Sequence, residues 1–150
     1  MVDAATRSRM MSGIRARNTR PERIIRSGLH RLGFRFRLHA AQPAGRPDLV
    51  LPRYRAAIFV HGCFWHGHDC HLFRMPGTRR KFWSDKIRAN RRRDAEVTRA
   101  VHEAGWRQLV IWECAFKGLG RDASEKAVSR ASAWIMGRRR YAEIRGSRLR

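Results

Sequence analysis

An eleven-residue segment near the middle of the chain, 61–71, is dense in side chains that bind metals. It contains two thiols and four imidazoles. Thiolate and imidazole are the ligands that zinc prefers, and a structural zinc site takes four of them in a tetrahedron. Three candidate ligands lie in the segment and a fourth follows much later: Cys63, His68, Cys70 and Cys114. If all four bind one ion, this loop must be fixed against the apolar strand that precedes the last cysteine, which restricts the possible folds.

The cysteines have another possible role, because isolated cysteines are often inert core residues. The chain has three of them, and an odd number argues against a framework of disulfides. The first twenty residues are polar and basic, and no stretch approaches the ~20 apolar residues of a membrane helix. We therefore expect a cytoplasmic protein, without membrane association, whose thiols stay reduced. Metal binding and plain burial of the thiols both remain open at this point.

The formal net charge is +22, from 34 basic residues against 12 acidic residues. A charge of this size attracts polyanions and speeds encounter with them, and nucleic acid is the obvious polyanion. Only four of the basic residues are lysine, and the arginine fork suits phosphates and guanine edges. The composition therefore indicates a nucleic-acid-binding protein that associates with the nucleoid.

Hydrophobic periodicity predicts a single α/β domain over residues 1–150. The predicted elements are a capped helix at 19–32, strands at 34–38, 48–51 and 56–60, a basic helix at 78–104, a strand at 107–112 and a helix at 123–136. Residues 1–18 are predicted to be a basic N-terminal arm, and residues 138–150 a basic tail. The order of these elements implies a mixed sheet flanked by helices.

Four side chains are candidates for chemistry on a phosphate. Asp48 opens a short strand, and hard oxygen ligands of this kind hold Mg²⁺ together with waters and phosphates. A turn or cap residue is the alternative for this aspartate. His61 and His66 remain once the zinc ligands are assigned, and each is either a general base or a support of the zinc loop. Glu22 could extend the network of metal-bound water, although its helix-capping position already accounts for it.

Two large aromatic residues, Phe64 and Trp65, lie between the first zinc ligand and His66. On a polar loop pinned by a metal, such rings suit a wedge that stacks on bases or enters a duplex. Packing of the rings beneath the zinc loop explains them equally well from sequence alone.

Together these residues resemble the family of DNA mismatch endonucleases of very short patch repair. The matching motifs are Thr6-Arg7-Ser8, Gly45-Arg46-Pro47-Asp48, Ile58 to His66 with Cys70, Phe82-Trp83, Lys86-Ile87 and Trp112-Glu113-Cys114-Ala115. They span most of the chain, and the string His-Gly-Cys-Phe-Trp-His followed by Trp-Glu-Cys is highly specific. The resemblance implies a restriction-endonuclease-like α/β fold with a zinc-stapled loop.

The resemblance also implies an activity. Enzymes of this family make a Mg²⁺-dependent nick in one strand, 5′ of the thymine in a T:G mismatch that arises when 5-methylcytosine deaminates. Double-stranded DNA carrying the mismatch is then the substrate and the enzyme is expected to be a monomer. A cytosine methyltransferase and general mismatch-repair proteins are the implied companions.

Carried over by position, Asp48 binds the catalytic Mg²⁺ and His66 is the catalytic histidine. His61 and Glu22 belong to the surrounding water network. The implied ligands of the structural zinc are Cys63, His68, Cys70 and Cys114. The implied intercalating rings are Phe64 and Trp65.

Two departures from the family pattern concern the catalytic metal. The family also uses a main-chain carbonyl just before the His-Gly pair, often from threonine, and here that residue is Val60. A carbonyl ligand survives this change. The wider superfamily places a second acid and a lysine after its first aspartate, and Phe59-Val60-His61 supplies neither, so we expect hydrolysis assisted by histidine.

Two other readings explain the same features. One is a zinc-stabilised DNA-binding module without catalysis, in which Asp48 only caps a turn. The other is a nuclease of the same fold that cuts matched DNA in restriction or defence. Metal-dependent nicking separates the first from an endonuclease, and a comparison of matched with mismatched duplexes separates the second.

Overall fold

The computed structural model describes residues 19–146, which form a five-stranded mixed sheet with helices packed on both faces. The elements are α1 (Arg20–Arg31), β1 (Arg37–Leu38), β2 (Leu49–Leu51), β3 (Ala56–His61), α2 (Arg80–Glu103), β4 (Arg107–Trp112), α3 (Gly120–Met136) and β5 (Tyr141–Ile144). The strands lie in chain order; β1, β2 and β3 pair antiparallel, whereas β3, β4 and β5 pair parallel. The predicted α/β class with a mixed, helix-flanked sheet is confirmed.

The core has two layers because successive residues of a strand face opposite sides of the sheet. Ala56 and Ile58 of β3 pack with α1 and α3 in the larger layer. Ala57 and Phe59 pack against Val101 of α2 on the other face. Burial on both faces explains why β3 is a continuous apolar run, which is typical of the interior strands of such sheets.

The helix predicted after Thr19 begins and ends where the sequence indicates. The Thr19 hydroxyl accepts a hydrogen bond from the amide of Glu22 at 3.4 Å, and α1 ends before Gly33, whose φ is +98°. This cap places Glu22 in the first turn of α1, beside the ends of β2 and β3. The hairpin of β2 and β3 is also confirmed, and α2 and α3 begin at Arg80 and Gly120, within three residues of the predicted starts.

The strand predicted at 34–38 is shorter in the structure. Only Arg37 and Leu38 pair with β2, opposite Val50 and Leu49. Phe34 is buried against Tyr54 outside the strand, and Leu38 is 42% exposed although the alternation had placed it on the buried face.

The prediction of a basic tail over 138–150 was wrong for residues 141–144, which form β5. This strand runs parallel to β4, and within it only Ile144 is buried. One buried residue leaves almost no periodic signal, and pairing with β4 depends on the fold of the whole chain. The predicted N-terminal arm and the last four residues lie outside the described residues. None of the helices between residues 19 and 146 is long and apolar enough to cross a membrane.

Candidate active site and zinc site

A cleft of about 920 Å³ opens where β2 begins and β3 ends, between the start of α1 and the middle of α2. The candidate catalytic and aromatic residues all line it: Glu22, Asp48, Val60, His61, Phe64, Trp65 and His66. The structure therefore brings together residues that the sequence analysis selected separately. A second groove, about 1550 Å³, lies between α1 and α3, and none of those residues is in its described lining.

One wall of the cleft holds an acidic cluster with a histidine. Asp48 Oδ2 accepts a hydrogen bond from the Val60 amide at 2.6 Å, which ties the aspartate to the end of β3. One ligand atom from each of Glu22, His39 and Asp48 lies within 4.8 Å of the others. Glu22 is only 5% exposed, so this glutamate is more than a helix cap. His39 was not among the sequence candidates.

Burial of Asp48, together with the hydrogen bond and the negative charge of Glu22, raises the pKa of Asp48 to about 8. Two buried carboxylates this close resist ionising together unless a cation compensates them. Oxygen donors at the mouth of a cleft are also the ligands that Mg²⁺ prefers. The residues present therefore fit a hard divalent cation.

Two stacked imidazoles also line the cleft. The rings of His61 and His66 lie 3.9 Å apart between centroids at an interplanar angle of 5°. His61 Nδ1 is buried without a hydrogen-bond partner among residues 19–146. Burial and the neighbouring His66 lower the pKa of His61 to about 3, so this ring is neutral at physiological pH.

His66 has a carboxylate partner that the sequence analysis missed. Its Nδ1 lies 2.5 Å from Asp94 Oδ2, on α2. A carboxylate at Nδ1 holds the proton there and leaves Nε2 free to accept another. The available signal was weak, since Asp94 follows three arginines and reads as one more charge on a solvated helix.

The four candidate zinc ligands converge at the end of β4, beside Val110 and Trp112. One ligand atom each from Cys63, His68, Cys70 and Cys114 lies within 4.8 Å of the others. Cys114 Sγ is 3.6 Å from His68 Nδ1. Zinc bond lengths and a tetrahedral angle place a sulfur and a nitrogen ligand roughly 3.6 Å apart, so this pair already has the spacing of a zinc site.

The buried thiols need a cation to ionise. Cys63 and Cys114 are fully buried, and burial raises the pKa of both thiols. Zinc reverses that effect because a coordinated thiol loses its proton outright. The donor set, its spacing and its burial therefore fit a structural zinc ion that joins the loop to the sheet.

Two residues outside this ligand set, Glu113 and Gly146, contact the candidate zinc ligands. The Cys63 amide donates to Glu113 Oε1 at 3.0 Å, and the Gly146 amide donates to Cys114 Sγ at 3.4 Å. A Cβ at Gly146 would lie 2.2 Å from the Cys114 carbonyl oxygen, so only glycine fits there. The segment after β5 thus contacts the candidate zinc site.

Trp112 connects the zinc site with the histidine pair. Its ring stacks on His68 at 3.9 Å and meets the edge of His61 at 5.2 Å. Its indole N–H donates to Glu143 Oε1 of β5 at 3.0 Å. The unpredicted strand therefore anchors the tryptophan against which both sets of histidines pack.

Phe64 and Trp65 form an aromatic cluster with a third ring, Trp83 of α2. The ring centroids of Trp83 lie 5.5 Å from Phe64 and 5.9 Å from Trp65. Asn90 donates to the Trp65 carbonyl at 2.8 Å and fixes the loop to α2. All three rings are half-buried, and they lie outside the buried core clusters of the described residues. Phe64 and Trp65 line the cleft, and this position favours contact with a ligand over packing beneath the zinc loop.

Comparison with known proteins identifies the family. Residues 1–72 match the family model of the DNA mismatch endonuclease Vsr. The chain is 44% identical over 142 residues to the DNA mismatch endonuclease Vsr of Escherichia coli (strain K12), which covers 95% of this chain and 91% of that protein. This chain belongs to the Vsr family.

Other relatives are nicking enzymes by name. The type II nicking enzyme V.XorIIP of Xanthomonas oryzae pv. oryzae is 49% identical over 111 residues, which are 74% of this chain and 82% of that protein. The type II nicking enzyme V.NmeAIP of Neisseria meningitidis serogroup A is 38% identical over 74% of this chain and 79% of that protein. As a Vsr-family member the chain is an endonuclease that acts on DNA. The family resemblance predicted from the motifs is confirmed.

The long helix α2 gives this Vsr-family chain a basic surface along the cleft. Its basic residues outnumber its acidic residues eight to four. Most of them are exposed, and Arg93 lines the cleft itself. Exposed arginines beside a candidate nuclease site suit the phosphates of a DNA backbone.

Proposed function

We propose that this chain is a Mg²⁺-dependent mismatch endonuclease that nicks one strand of DNA 5′ of the thymine in a T:G mismatch. Such a nick would initiate very short patch repair of deaminated 5-methylcytosine. The observation that carries the proposal is one cleft lined by two carboxylates, a histidine pair with its own aspartate, and the rings of Phe64 and Trp65. Membership in the Vsr family and the names of the relatives support the same reaction.

Asp48 would hold the Mg²⁺, with the main-chain carbonyl of Val60 as a second ligand and Glu22 in the surrounding water network. The Val60 amide already fixes the aspartate at 2.6 Å, so the carboxylate is oriented before the substrate arrives. When bound, the ion polarises the scissile phosphate and stabilises the leaving 3′ oxygen.

His66 would act as the general base that takes a proton from the attacking water. The Asp94 carboxylate, 2.5 Å from Nδ1, keeps the ring in one tautomer and stabilises the imidazolium that forms. His61 stays neutral, because burial lowers its pKa to about 3, and stacks on His66. The neutral ring restricts the orientation of His66 without repelling the positive charge that develops on it.

Phe64, Trp65 and Trp83 would detect the mismatch by entering the duplex at the weakened base pair. A wobble pair costs less to pry apart than a matched pair, so insertion discriminates through deformability before any base edge is read. Trp65 is one residue from His66. Rings inserted at the mismatch would therefore bring a nearby phosphate toward His66, the proposed general base.

The zinc ion would be structural, held by Cys63, His68, Cys70 and Cys114. His68 is stacked on Trp112, which also touches His61. The zinc loop would therefore fix the aromatic cluster and the histidine pair relative to each other. In this proposal residues 1–150 act as one monomeric nuclease domain, and general mismatch-repair proteins recruit it.

A nicking assay on two duplexes that differ by one T:G pair tests the proposal. Wild-type protein should nick the mismatched duplex on the thymine strand only when Mg²⁺ is present. Asp48→Asn should bind DNA and lose nicking, and His66→Ala should lose most of it. His30→Ala is a matched control, because His30 is an exposed histidine on α1 remote from the cleft. Equal nicking of both duplexes, or nicking by Asp48→Asn at the wild-type rate, would refute the assignment.

A further inference from the structure

His39 occupies a position that its neighbours in sequence do not explain. It follows β1, and its amide donates to the Asp48 carbonyl at 3.4 Å, so the two residues lie side by side across the edge of the sheet. Its backbone has a φ of +50°, in the left-handed region. This conformation turns the chain at the end of β1, and the ring lies against α1 with Nε2 3.4 Å from Glu22 Oε2.

The His39 imidazole is largely buried, and its Nε2 faces the Glu22 carboxylate. Only 12% of the His39 side chain is exposed, and Nε2 lacks a hydrogen-bond partner among residues 19–146. The approach to Glu22 is close enough for attraction but lacks the angles of a hydrogen bond. A buried polar nitrogen without a hydrogen bond is destabilising, so this nitrogen beside two carboxylates suits a shared ligand.

The geometry of the cluster matches three donors around one ion. One donor atom from each of Glu22, His39 and Asp48 lies within 4.8 Å of the others. Donors at about 2.1 Å from a common ion lie roughly 3 Å apart when adjacent and roughly 4.2 Å apart when opposite. The spacing of the three donors is therefore close to that of ligands around one cation.

We propose that His39 Nε2 is a further ligand of the divalent cation held by Asp48, beside Glu22. This inference rests on the proposed function, because it assigns a further donor to the same metal site. A nitrogen donor changes which ion the site prefers. Carboxylate and water suit Mg²⁺, whereas imidazole adds more to the binding of transition-series ions such as Mn²⁺ and Co²⁺. The site should therefore bind Mn²⁺ more tightly, relative to Mg²⁺, than two carboxylates alone would.

The main test variant is His39→Asn. Asparagine tolerates a positive φ, so it keeps the turn after β1 while removing the imidazole. His39→Gln is a second variant that keeps more of the side-chain length, and His30→Gln is the control at an exposed histidine. Mn²⁺ affinity is measured on the zinc-loaded protein from the electron paramagnetic resonance signal of free Mn²⁺. Mg²⁺ affinity is measured by competition with Mn²⁺.

Both His39 variants should weaken Mn²⁺ binding by about 10-fold and Mg²⁺ binding by clearly less, while His30→Gln changes neither. Pulsed measurements on bound Mn²⁺ should show coupling to a histidine nitrogen that is lost in His39→Asn. If the ligands share one ion, His39→Asn should have no further effect in Asp48→Asn protein, where the principal ligand is already missing.

Wild-type Mn²⁺ affinity in both His39 variants would overturn the inference. An equal loss of Mn²⁺ affinity on His39→Asn in wild-type and in Asp48→Asn protein would also overturn it, because His39 would then bind the ion at a separate site. Failure of the proposed function looks different, since Asp48→Asn would then still nick mismatched DNA. Loss of nicking in that variant combined with unchanged Mn²⁺ binding in His39→Asn would remove only the assignment of His39.

Discussion

Replacing Asp48 with asparagine should stabilise the Mg²⁺-free protein at neutral and alkaline pH. Burial first, and Glu22 second, raises the pKa of Asp48 from 3.8 to about 8. A folded-state pKa above the unfolded value means that stability is fully present below pH ~4, falls as pH rises, and levels off above pH ~8. Asparagine keeps the acceptor for the Val60 amide and has no proton to lose.

The shift sets the size of the effect. Converted to free energy, the pKa shift of Asp48 corresponds to at most about 6 kcal/mol of lost stability. Water entering the cleft should relieve part of this loss, so we expect Asp48→Asn to raise the unfolding free energy by about 2 to 4 kcal/mol above pH 8. Below pH 4.5 the variant and wild type should unfold with nearly equal free energies. Residues of a functional site often destabilise the fold, and a bound ligand offsets that destabilisation.

Urea unfolding from pH 4.5 to 9, with zinc retained and Mg²⁺ omitted, measures the difference. Added Mg²⁺ should stabilise wild type at pH 8 and leave Asp48→Asn unchanged, since ligand binding stabilises only the protein that binds it. His30→Gln controls for substitution in general. The argument that the charge of Asp48 needs a compensating cation would be refuted by an Asp48→Asn variant that is less stable than wild type at pH 8. A stability difference that does not change with pH would refute it as well.

Three other perturbations test the remaining parts of the site. Cys114→Ser should lower zinc content below one ion per chain and reduce the unfolding free energy by several kcal/mol, because structural zinc binding is coupled to folding; full zinc content by metal analysis would contradict the ligand assignment. Asp94→Asn should lower kcat by about 10²-fold or more and leave DNA affinity unchanged, since His66 loses the partner that fixes its tautomer, and single-turnover rates that match wild type would exclude this role. Phe64→Ala combined with Trp65→Ala should cost about 1 to 3 kcal/mol more in binding mismatched than matched DNA, while the salt-dependent component persists; titrations showing equal losses on both duplexes would make the rings structural.

Local signals in the sequence were sufficient for several elements. The capping box at Thr19, the positive-φ glycine after α1 and the apolar runs of β3 and β4 each encode their structure within a few residues. The dense Cys and His segment and the family motifs likewise lie in short stretches. These features depend on contacts between near neighbours, so the amino-acid order alone specifies them.

The tertiary structure alone decided which distant residues meet. Asp94 reaches His66 from 28 positions away, and Trp112 reaches Glu143 across 31 positions. β5 has too few buried residues to produce a periodic pattern, yet parallel pairing with β4 holds it in place. His39 reads as one polar residue at the end of a strand, and only the packing of β1 and β2 beside α1 brings its ring to Glu22. Motifs mark residue types suited to zinc and phosphate chemistry, but which side chains share an ion or a proton depends on distances that exist only once the sheet and helices have packed.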